Sequence, residues 1–403
     1  MRRWEEKESL PVHRQQHDKR GSVYAYRWEL DEWRESRRQL MEVVENQPPA
    51  EAGSRRLWWA LGLALLAAAS AGGYWLLRPA PRGNAEYTTS PEAYRAYVRA
   101  HFGENAGRIQ VQAGIKNYQE AIRLDPRFAL AWTGLASAHI ALTWFGDVPA
   151  RETMAQAKLE AQKALSLDSR SAGAWRVLAF VAHYLDWDQV SAEKEFRKAL
   201  ELNPREAVAA SWFAEFLLDM RRFDEALIYA KRAQDISPRW LEPMTVAGNI
   251  HAFSGNPDLA IPEYQRALEI EPNYGLANHF LGRAYLAKGQ TAKAIEQLRR
   301  SNELLGGVPF SMGDLGYALA AGGQRAEAER ILAEMNHKRQ AGYFPAFAIA
   351  EVELGLGHTE ASLDWLERAA EERHMGFYLP SADPIYEPLR PNPRFLELTH
   401  PHQ

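Results

Sequence analysis

A 34-residue period runs through most of the chain. Pro204, Pro238 and Pro272 stand at equal 34-residue intervals, and Gly306 holds the next position of the series. Upstream, Pro126 and Ser169 hold the same place with looser spacings. Each of these positions follows an apolar, alanine-rich segment of helical periodicity, which a proline should end because it cannot continue a helix. Self-similarity at this period predicts an all-α stack of two-helix units.

Small residues recur at fixed positions of the repeat. In the first helix of each unit they are Ala136, Ala179, Ala214, Gly248, Gly282 and Gly316. At the start of the second helix they are Ala157, Ala192, Ala226, Ala260, Ala294 and Ala328, and towards its end Ala121, Ala164, Ala199, Ala233 and Ala267. Small side chains let two helix axes approach closely, and the large residues beside them fill the space between.

The pattern resembles the tetratricopeptide repeat (TPR). The resemblance implies a helical-hairpin solenoid over residues 88–380, with six clear units from about 129 to 340, a degenerate one at 88–128 and a divergent one at 343–374. A C-terminal cap or tail at 381–403 follows. The ending LDWLERAAEERHMGFYLPSADPIYEPLRPNPRF resembles the terminal cap of bacterial repeat proteins in which a signalling or DNA-binding module is joined to the repeats through a membrane span.

In that family the first helices form a concave groove that receives a peptide or a partner's helix. The resemblance therefore implies a protein partner. Taken in register with the prolines, the predicted groove residues are Thr133, Ser137, Arg176, Phe180, His183, Ser211, Glu215, Thr245, Asn249, His279, Arg283 and Tyr317. One subclass grips a terminal carboxylate, and Asn249 matches one of its positions. Thr245 replaces the companion lysine, so that ligand is not predicted. For each single residue, a solvated helix position is the alternative.

The segment Leu57–Leu77 contains 21 residues and no charge. As a helix it would cover about 32 Å, enough for the hydrocarbon core of a bilayer. Tryptophan and tyrosine near both ends and flanking arginines favour a spanning helix between linkers at 47–56 and 78–87. The alternatives are a buried helix of a soluble protein and a secretory signal peptide. The basic N-terminal piece predicts a single-pass inner-membrane protein with a cytoplasmic N-terminus and extracytoplasmic repeats.

Within that segment Ala60, Ala64, Ala68 and Gly72 are four residues apart. They would form a stripe of small side chains on one side of a helix, where two backbones can pack in lipid. The stripe predicts a homodimer contact. The alternative is that an alanine-rich span contains such a series by chance.

Residues 1–46 have the pattern of a short helix, two strands at 12–16 and 22–27, and a second helix. RRWEEKESLPVHR followed by KRGSVYAYRWELDEWRESR resembles the second half of the winged-helix DNA-binding module of the MerR-like and excisionase-like kind. The resemblance implies that Arg2 and Arg3 lie on the recognition helix and that Arg14, Lys19 and Arg20 meet phosphates of duplex DNA near the wing. The alternative is a solvated juxtamembrane tail whose basic residues face anionic lipid.

The chain contains no cysteine, which excludes disulfides, thiolate metal sites and cysteine nucleophiles. It also contains no nucleophile elbow, phosphate loop, dinucleotide fingerprint or paired-histidine zinc motif. We therefore expect no enzyme, no metal and no cofactor. The predicted function is a membrane-anchored scaffold or sensor that acts as a signalling or transcription-regulatory adaptor. One alternative is a remnant of a kinase- or cyclase-type signalling enzyme without its catalytic module, and another is an envelope assembly adaptor with no DNA role.

Overall fold

The computed structural model describes residues 13–17, 20–24, 88–100, 108–146, 148–377 and 383–399. The chain divides into two units, Met1–Pro81 and Arg82–Gln403. Several predicted features lie outside the described residues: the apolar segment 57–77 with its stripe Ala60, Ala64, Ala68 and Gly72, both linkers, and the basic residues Arg2, Arg3 and Lys19.

The described part of the first unit is a β-hairpin. Strand β1, His13–His17, pairs antiparallel with β2, Arg20–Tyr24, so that His13 lies opposite Tyr24 and His17 opposite Arg20. Both predicted strands are present with shifted bounds. The second begins two residues earlier than expected, because the pairing continues as far as Arg20. Arg14 lies on β1 opposite Val23.

The described part of the second unit is built from helices. They are α1 Pro91–Ala100, α2 Arg108–Leu124, α3 Ala129–Thr143, α4 Ala150–Leu167, α5 Ala172–Val181, α6 Gln189–Leu202, α7 Ala207–Asp219, α8 Phe223–Ile236, α9 Glu242–Phe253, α10 Pro257–Ile270, α11 Gly275–Ala287, α12 Thr291–Leu305, α13 Pro309–Ala321, α14 Arg325–Ala341, α15 Ala346–Gly355, α16 Thr359–Glu372 and α17 Pro393–Thr399. A π-helical turn, Ala182–Asp186, extends α5, and 3-10 turns lie at Met375–Phe377 and Pro384–Leu389.

Successive helices from α1 to α16 pack as hairpins, and the odd-numbered first helices also pack against one another. The recurring small residues make the close packing possible. A Cβ added at Gly248 would overlap the ring of Tyr264, and one added at Gly316 would come within 2.6 Å of Val352. Ala136, Ala179 and Ala214 are fully buried at the matching positions. The small-residue pattern therefore marks where the helix axes cross, as predicted.

The ends of the helices follow the same period. The residues before Pro204, Pro238 and Pro272 have ψ angles of 90°, 75° and 92°, outside the helical region that a following proline disfavours. Between the two helices of a hairpin, a residue with positive φ recurs at the same 34-residue interval: Trp187, Arg221, Gly255, Gly289, Gly323 and Gly357. Four of these six positions hold glycine, which adopts this conformation without the steric cost of a Cβ.

Residues that follow α16 contact α3, near the start of the helical unit. His374 donates a hydrogen bond from Nε2 to the carbonyl oxygen of Thr143 at 3.0 Å, and Met375 is buried among apolar side chains of α3, α4 and α5. Gly146, at φ +69°, lies so close to Pro309 and Pro345 that a side chain there would overlap Pro309. The guanidinium carbon of Arg373 lies 3.3 Å from the centre of the Trp187 ring.

We call the contacts of residues 143–146 and 187 with residues 309–310, 345 and 373–376 the closure. They also include Trp144 and Phe310, whose ring centres are 6.3 Å apart at nearly a right angle. The partners lie far apart in the chain, and Thr143 and His374 are separated by 231 residues. The closure therefore joins an early hairpin to late ones.

The predicted location in a membrane must be corrected. In the part of the chain that the structure describes, no helix combines the length and the apolar character that crossing a bilayer requires. The longest described helix, α4, has 18 residues and includes Arg151, Lys158 and Lys163, and such charges are costly in hydrocarbon. The prediction of a single-pass inner-membrane protein is therefore not carried further.

Candidate functional site

The predicted groove residues lie on the first helices α3, α5, α7, α9, α11 and α13 and on the turn after α5. Most of them are buried rather than open to solvent: Thr133, Arg176, Phe180, His183, Ser211, Thr245, Asn249 and His279. Ser137, Glu215, Arg283 and Tyr317 are partly exposed. The first helices pack so closely that these side chains bridge neighbouring repeats. Their assignment to ligand binding remains a prediction.

In the early hairpins the bridges pair donors with acceptors. Arg176 donates from Nη2 to the hydroxyl of Ser137 at 3.2 Å and from Nε to a carboxylate oxygen of Glu206 at 2.9 Å. Its guanidinium also lies 4.4 Å from the centre of the Trp212 ring. Thr133 and Ser171 share a hydrogen bond of 3.0 Å. Arg176 thus ties three consecutive first helices together.

The next bridge is formed by His183. Its Nε2 lies 2.8 Å from a carboxylate oxygen of Asp219, and its Nδ1 lies 2.6 Å from the side-chain oxygen of Gln189. Tyr184 donates from its hydroxyl to the same oxygen of Asp219 at 3.1 Å. Both ring nitrogens of this buried histidine therefore have a polar partner.

In the middle of the row the carboxyl group of Glu215 lies near two other acids. Burial raises its pKa well above the ordinary value, and the charges of Glu242 and Asp219 raise it further. Ser211 donates a hydrogen bond to Glu242 at 3.3 Å. A carboxyl group in such surroundings holds a proton more strongly than one in water.

A cavity of about 230 Å³ opens on the inner side of α9, α11 and α13. Three of the predicted groove residues, Asn249, Arg283 and Tyr317, line it. Apolar and aromatic side chains of α9, α10 and α11 complete its wall, together with residues from beyond α16: Ala252, Phe253, Tyr264, Phe280, Ala284, Leu286, Ala287, Asp383, Pro384 and Ile385. Tyr264 donates from its hydroxyl to the side-chain oxygen of Asn249 at 2.8 Å, which fixes the amide at the cavity edge.

Arg283 connects the cavity to a buried charged cluster. Its guanidinium donates to Asp314 at 3.0 Å and forms a second ion pair with Asp383. His279 Nε2 lies 3.2 Å from the same oxygen of Asp314, and the hydroxyl of Tyr386 lies 3.4 Å from Glu351. We call Arg283, His279, Asp314, Glu351 and Asp383 the arginine cluster.

Burial governs the protonation of this cluster. It raises the pKa of Asp314 to about 6, although Arg283 acts in the opposite direction, and it raises the pKa of Glu351 well above the ordinary value. The pKa of His279 is lowered well below its ordinary value, by burial first and by the charge of Arg283 second. His279 is therefore neutral near pH 7. With its proton on Nε2, it can donate a hydrogen bond to Asp314.

Three polar atoms of the cluster have no hydrogen-bond partner among the described residues: His279 Nδ1, Asp314 Oδ1 and Glu351 Oε2. His279 Nδ1 and Asp314 Oδ1 can act as acceptors, whereas the raised pKa of Glu351 favours a proton on its carboxyl group. Within the described residues, no group of three or more histidine and acidic side chains is arranged to hold a metal ion. The arrangement is suited to binding charge by hydrogen bonds.

Sequence reasoning did not single out Glu351, Asp314 or Asp383. Glu351 had a signal, because it continues the 34-residue series of Glu215, Asn249, Arg283 and Tyr317 by one more repeat. Asp314 aligns with Phe280 of the preceding repeat, so the pattern at that position indicates an apolar core side chain rather than an acid. Asp383 had no such signal, since it follows the last hairpin and meets Arg283 from 100 residues away.

Comparison with known proteins agrees with the helical architecture. Residues 254–304, from the turn after α9 to α12, match the tetratricopeptide repeat family. No curated protein matches the sequence. The hairpins of 34-residue period and this match together identify the second unit as an all-helical, TPR-like solenoid.

Two solved structures are similar to part of this chain. The Pseudomonas aeruginosa protein PilF is 18% identical, with a TM-score of 0.41, over 58% of this chain and 98% of its own. PilW, described as a widely conserved type IV pilus biogenesis factor, is 21% identical, with a TM-score of 0.43, over 57% of this chain and 98% of its own.

Proposed function

We propose that the helical unit is a protein-binding scaffold that holds a segment of a partner protein against the inner side of α9, α11 and α13. The cavity there is the observation that carries the proposal. It combines half-buried rings of Phe253, Phe280 and Tyr317 with fixed polar groups on Asn249 and Arg283. Concave surfaces of this composition are typical of ligand sites in proteins.

The spacing of the first helices favours an extended peptide as the ligand. Packed helices lie about 8 to 10 Å apart, and an extended chain advances about 3.3 Å per residue. A bound strand would therefore pass one repeat every three residues and meet the positions of Asn249, Arg283 and Tyr317 in turn. We propose no catalytic role, because the arginine cluster binds charge but supplies no nucleophile to the cavity.

The proposal is tested by site-specific photocrosslinking. A photoreactive phenylalanine analogue is placed at Phe253 in the full chain, and at Ile228 on the second helix α8, which is 65% exposed, as the control. We expect a crosslinked protein at Phe253 that is absent at Ile228. The partner is then purified, and its affinity for the wild-type chain and for Phe280→Ala is measured by calorimetry.

Loss of the Phe280 ring should weaken binding at least tenfold, since aromatic anchors in pockets carry much of the energy of an interface. An identical set of crosslinks at the two positions would argue against a site in the cavity. So would a purified partner that binds Phe280→Ala and wild type equally.

The N-terminal unit supports a second candidate function. The support for it is the strand pairing of β1 and β2, in which Arg14 lies opposite Val23 and Arg20 opposite His17. For the full chain we propose binding to duplex DNA that falls steeply between 50 and 200 mM salt and weakens in Arg14→Ala with Arg20→Ala. Fluorescence anisotropy measures it, and equal binding by this variant would remove the DNA role.

A further inference from the structure

The described residues of the segment after α16, 373–377 and 383–399, contact helices that lie far from them in the chain. His374 is hydrogen bonded to Thr143 near the end of α3, and Asp383 is paired with Arg283 on α11. Tyr386 then reaches Glu351 on α15. These contacts join positions that are 231, 100 and 35 residues apart in the chain. The segment therefore covers part of the surface where a partner would bind.

Asp383 is held in two ways. One carboxylate oxygen accepts from the backbone N–H of Ile385 at 3.1 Å, which shapes the start of the 3-10 turn, and the other takes the ion pair with Arg283. The Asp383 side chain is 5% exposed and that of Arg283 is 19% exposed. Pro384 and Ile385 follow as part of the cavity wall. The three residues thus present a carboxylate and two apolar groups to the cavity.

The charge balance makes this carboxylate replaceable. Arg283 also pairs with Asp314, which stays in place when Asp383 is withdrawn. Withdrawal of Asp383 leaves Arg283 with one buried acid and an open donor that faces the cavity. A carboxylate from another chain restores the same ion pair, whereas a neutral or basic side chain does not.

The remainder of the segment has an anchor of its own. Tyr386 and Leu389 are buried, and the ring of Tyr386 lies 5.8 Å from that of Phe395 on α17. Pro384, in contrast, is exposed. Asp383 and Ile385 are buried, and Ile385 packs in the same apolar core as Tyr386. Release of residues 383–385 from the cavity therefore exposes Ile385 while the anchor at 386–395 stays in place.

We propose that Asp383, Pro384 and Ile385 occupy the partner site from within the chain, and that the partner segment which replaces them carries an acidic residue followed within two positions by an aliphatic one. This inference rests on the proposed function and specifies its ligand. The internal segment competes at the high effective concentration of a tethered group, so the free chain binds such a partner weakly until the segment is displaced.

The test uses the full chain and a fluorescent peptide of its own residues 381–390, SADPIYEPLR, read by anisotropy. The main variant is Asp383→Asn, which keeps an oxygen for the N–H of Ile385 but removes the charge that binds Arg283. We expect the peptide to bind this variant at least tenfold more tightly than wild type. Asp258→Asn, which removes an exposed acid paired with Lys288, is the matched control and should behave as wild type.

Two further measurements establish the chemistry. A peptide with asparagine at its aspartate position should bind Asp383→Asn at least tenfold more weakly than the original peptide. Arg283→Gln added to Asp383→Asn should abolish the difference between the two peptides. The circular dichroism spectrum and thermal midpoint of Asp383→Ala are compared with those of wild type. They show whether the segment can be released without loss of the fold.

The proposal is overturned if Asp383→Asn and wild type bind the peptide equally, if neither binds it, or if the asparagine peptide binds as well as the original. Its failure can be told apart from failure of the proposed function. A partner captured at Phe253 that binds wild type and Asp383→Asn equally leaves the scaffold role intact and removes the internal competitor. Tight peptide binding that depends on Arg283, without any protein crosslinked at Phe253, supports the internal competitor and argues against the scaffold role.

Discussion

The inner wall of the solenoid differs between its early and late hairpins. From α3 to α7, each buried basic side chain contacts one acid: Arg176 pairs with Glu206, and His183 Nε2 lies 2.8 Å from Asp219. From α11 to α15, one arginine is shared by two acids. Among the described residues, His279, Asp314 and Glu351 there each have a polar atom without a hydrogen-bond partner, whereas in the early pairs only Glu206 does. Equivalent repeat positions can therefore serve different purposes. The early wall joins repeats, and the late wall contains polar atoms without a hydrogen-bond partner among the described residues.

Removal of the central arginine of each wall should give the largest difference. Arg283→Ala leaves Asp314 and Asp383 buried without their cation, and we expect a loss of about 3 to 5 kcal/mol in the free energy of unfolding. Arg176→Ala leaves a single acid, Glu206, and should cost about 1 to 3 kcal/mol. Urea denaturation measures both.

Arg266→Ala is the control for this pair, because Arg266 forms only an exposed pair with Glu263 within α10 and should change stability by about 0.5 kcal/mol or less. Equal losses for Arg283→Ala and Arg176→Ala would mean that the two walls do not differ in the way described.

The next largest effect should appear when the free energy of unfolding is measured against pH, which should distinguish the late wall from the early wall. The pKa of Asp314 is about 6 in the folded chain and 3.8 ordinarily, so the folded state binds the proton more tightly. The stability that this group contributes is present in full below pH 3.8 and is lost as pH rises through 6. The slope is at most about 1.4 kcal/mol per pH unit.

Asp314→Asn should remove that slope between pH 4 and 6. Asp219→Asn, at the early wall, leaves Asp314 in place and should retain it. His279, Arg283, Glu351 and Asp383 face the same carboxyl group, so stability differences between variants are taken at each pH. The same slope in Asp314→Asn and wild type would show that Asp314 is not the titrating group.

The smallest effect concerns the turns between the helices of a hairpin. The two earliest positions of the positive-φ series hold Trp187 and Arg221, and the later ones hold glycine. Arg221→Gly should raise the unfolding free energy by about 0.5 to 1 kcal/mol, because the left-handed conformation strains a residue with a side chain. Thermal unfolding at a fixed pH is the measurement.

Trp187→Gly relieves the same strain but removes the ring that lies against Arg373, so we expect a net loss of stability. Similar gains for both variants would show that the Trp187 contact contributes little to the closure.

The repeat was largely predictable from the sequence, because its determinants are local. Prolines, small residues at helix crossings and the 34-residue period each act within one hairpin, and they place Asn249, Arg283 and Tyr317 on one wall. The burial of His183 or Thr245 was not predictable, since it depends on how tightly neighbouring first helices approach. The role of Asp383 could not be predicted from the sequence for a different reason. Its position is set by a return of the chain over 100 residues, and no periodic signal encodes it.

The closure has a consequence for how the length of this protein can vary. An open stack of hairpins can gain or lose one unit and still present the same local packing. Here Thr143 must meet His374, and Gly146 must meet Pro309 and Pro345, which requires a set number of units between them. Addition or deletion of one whole repeat would keep every hairpin intact and still separate these partners. The molecule is therefore tied to its own repeat count, and relatives that keep the closure should also keep that number.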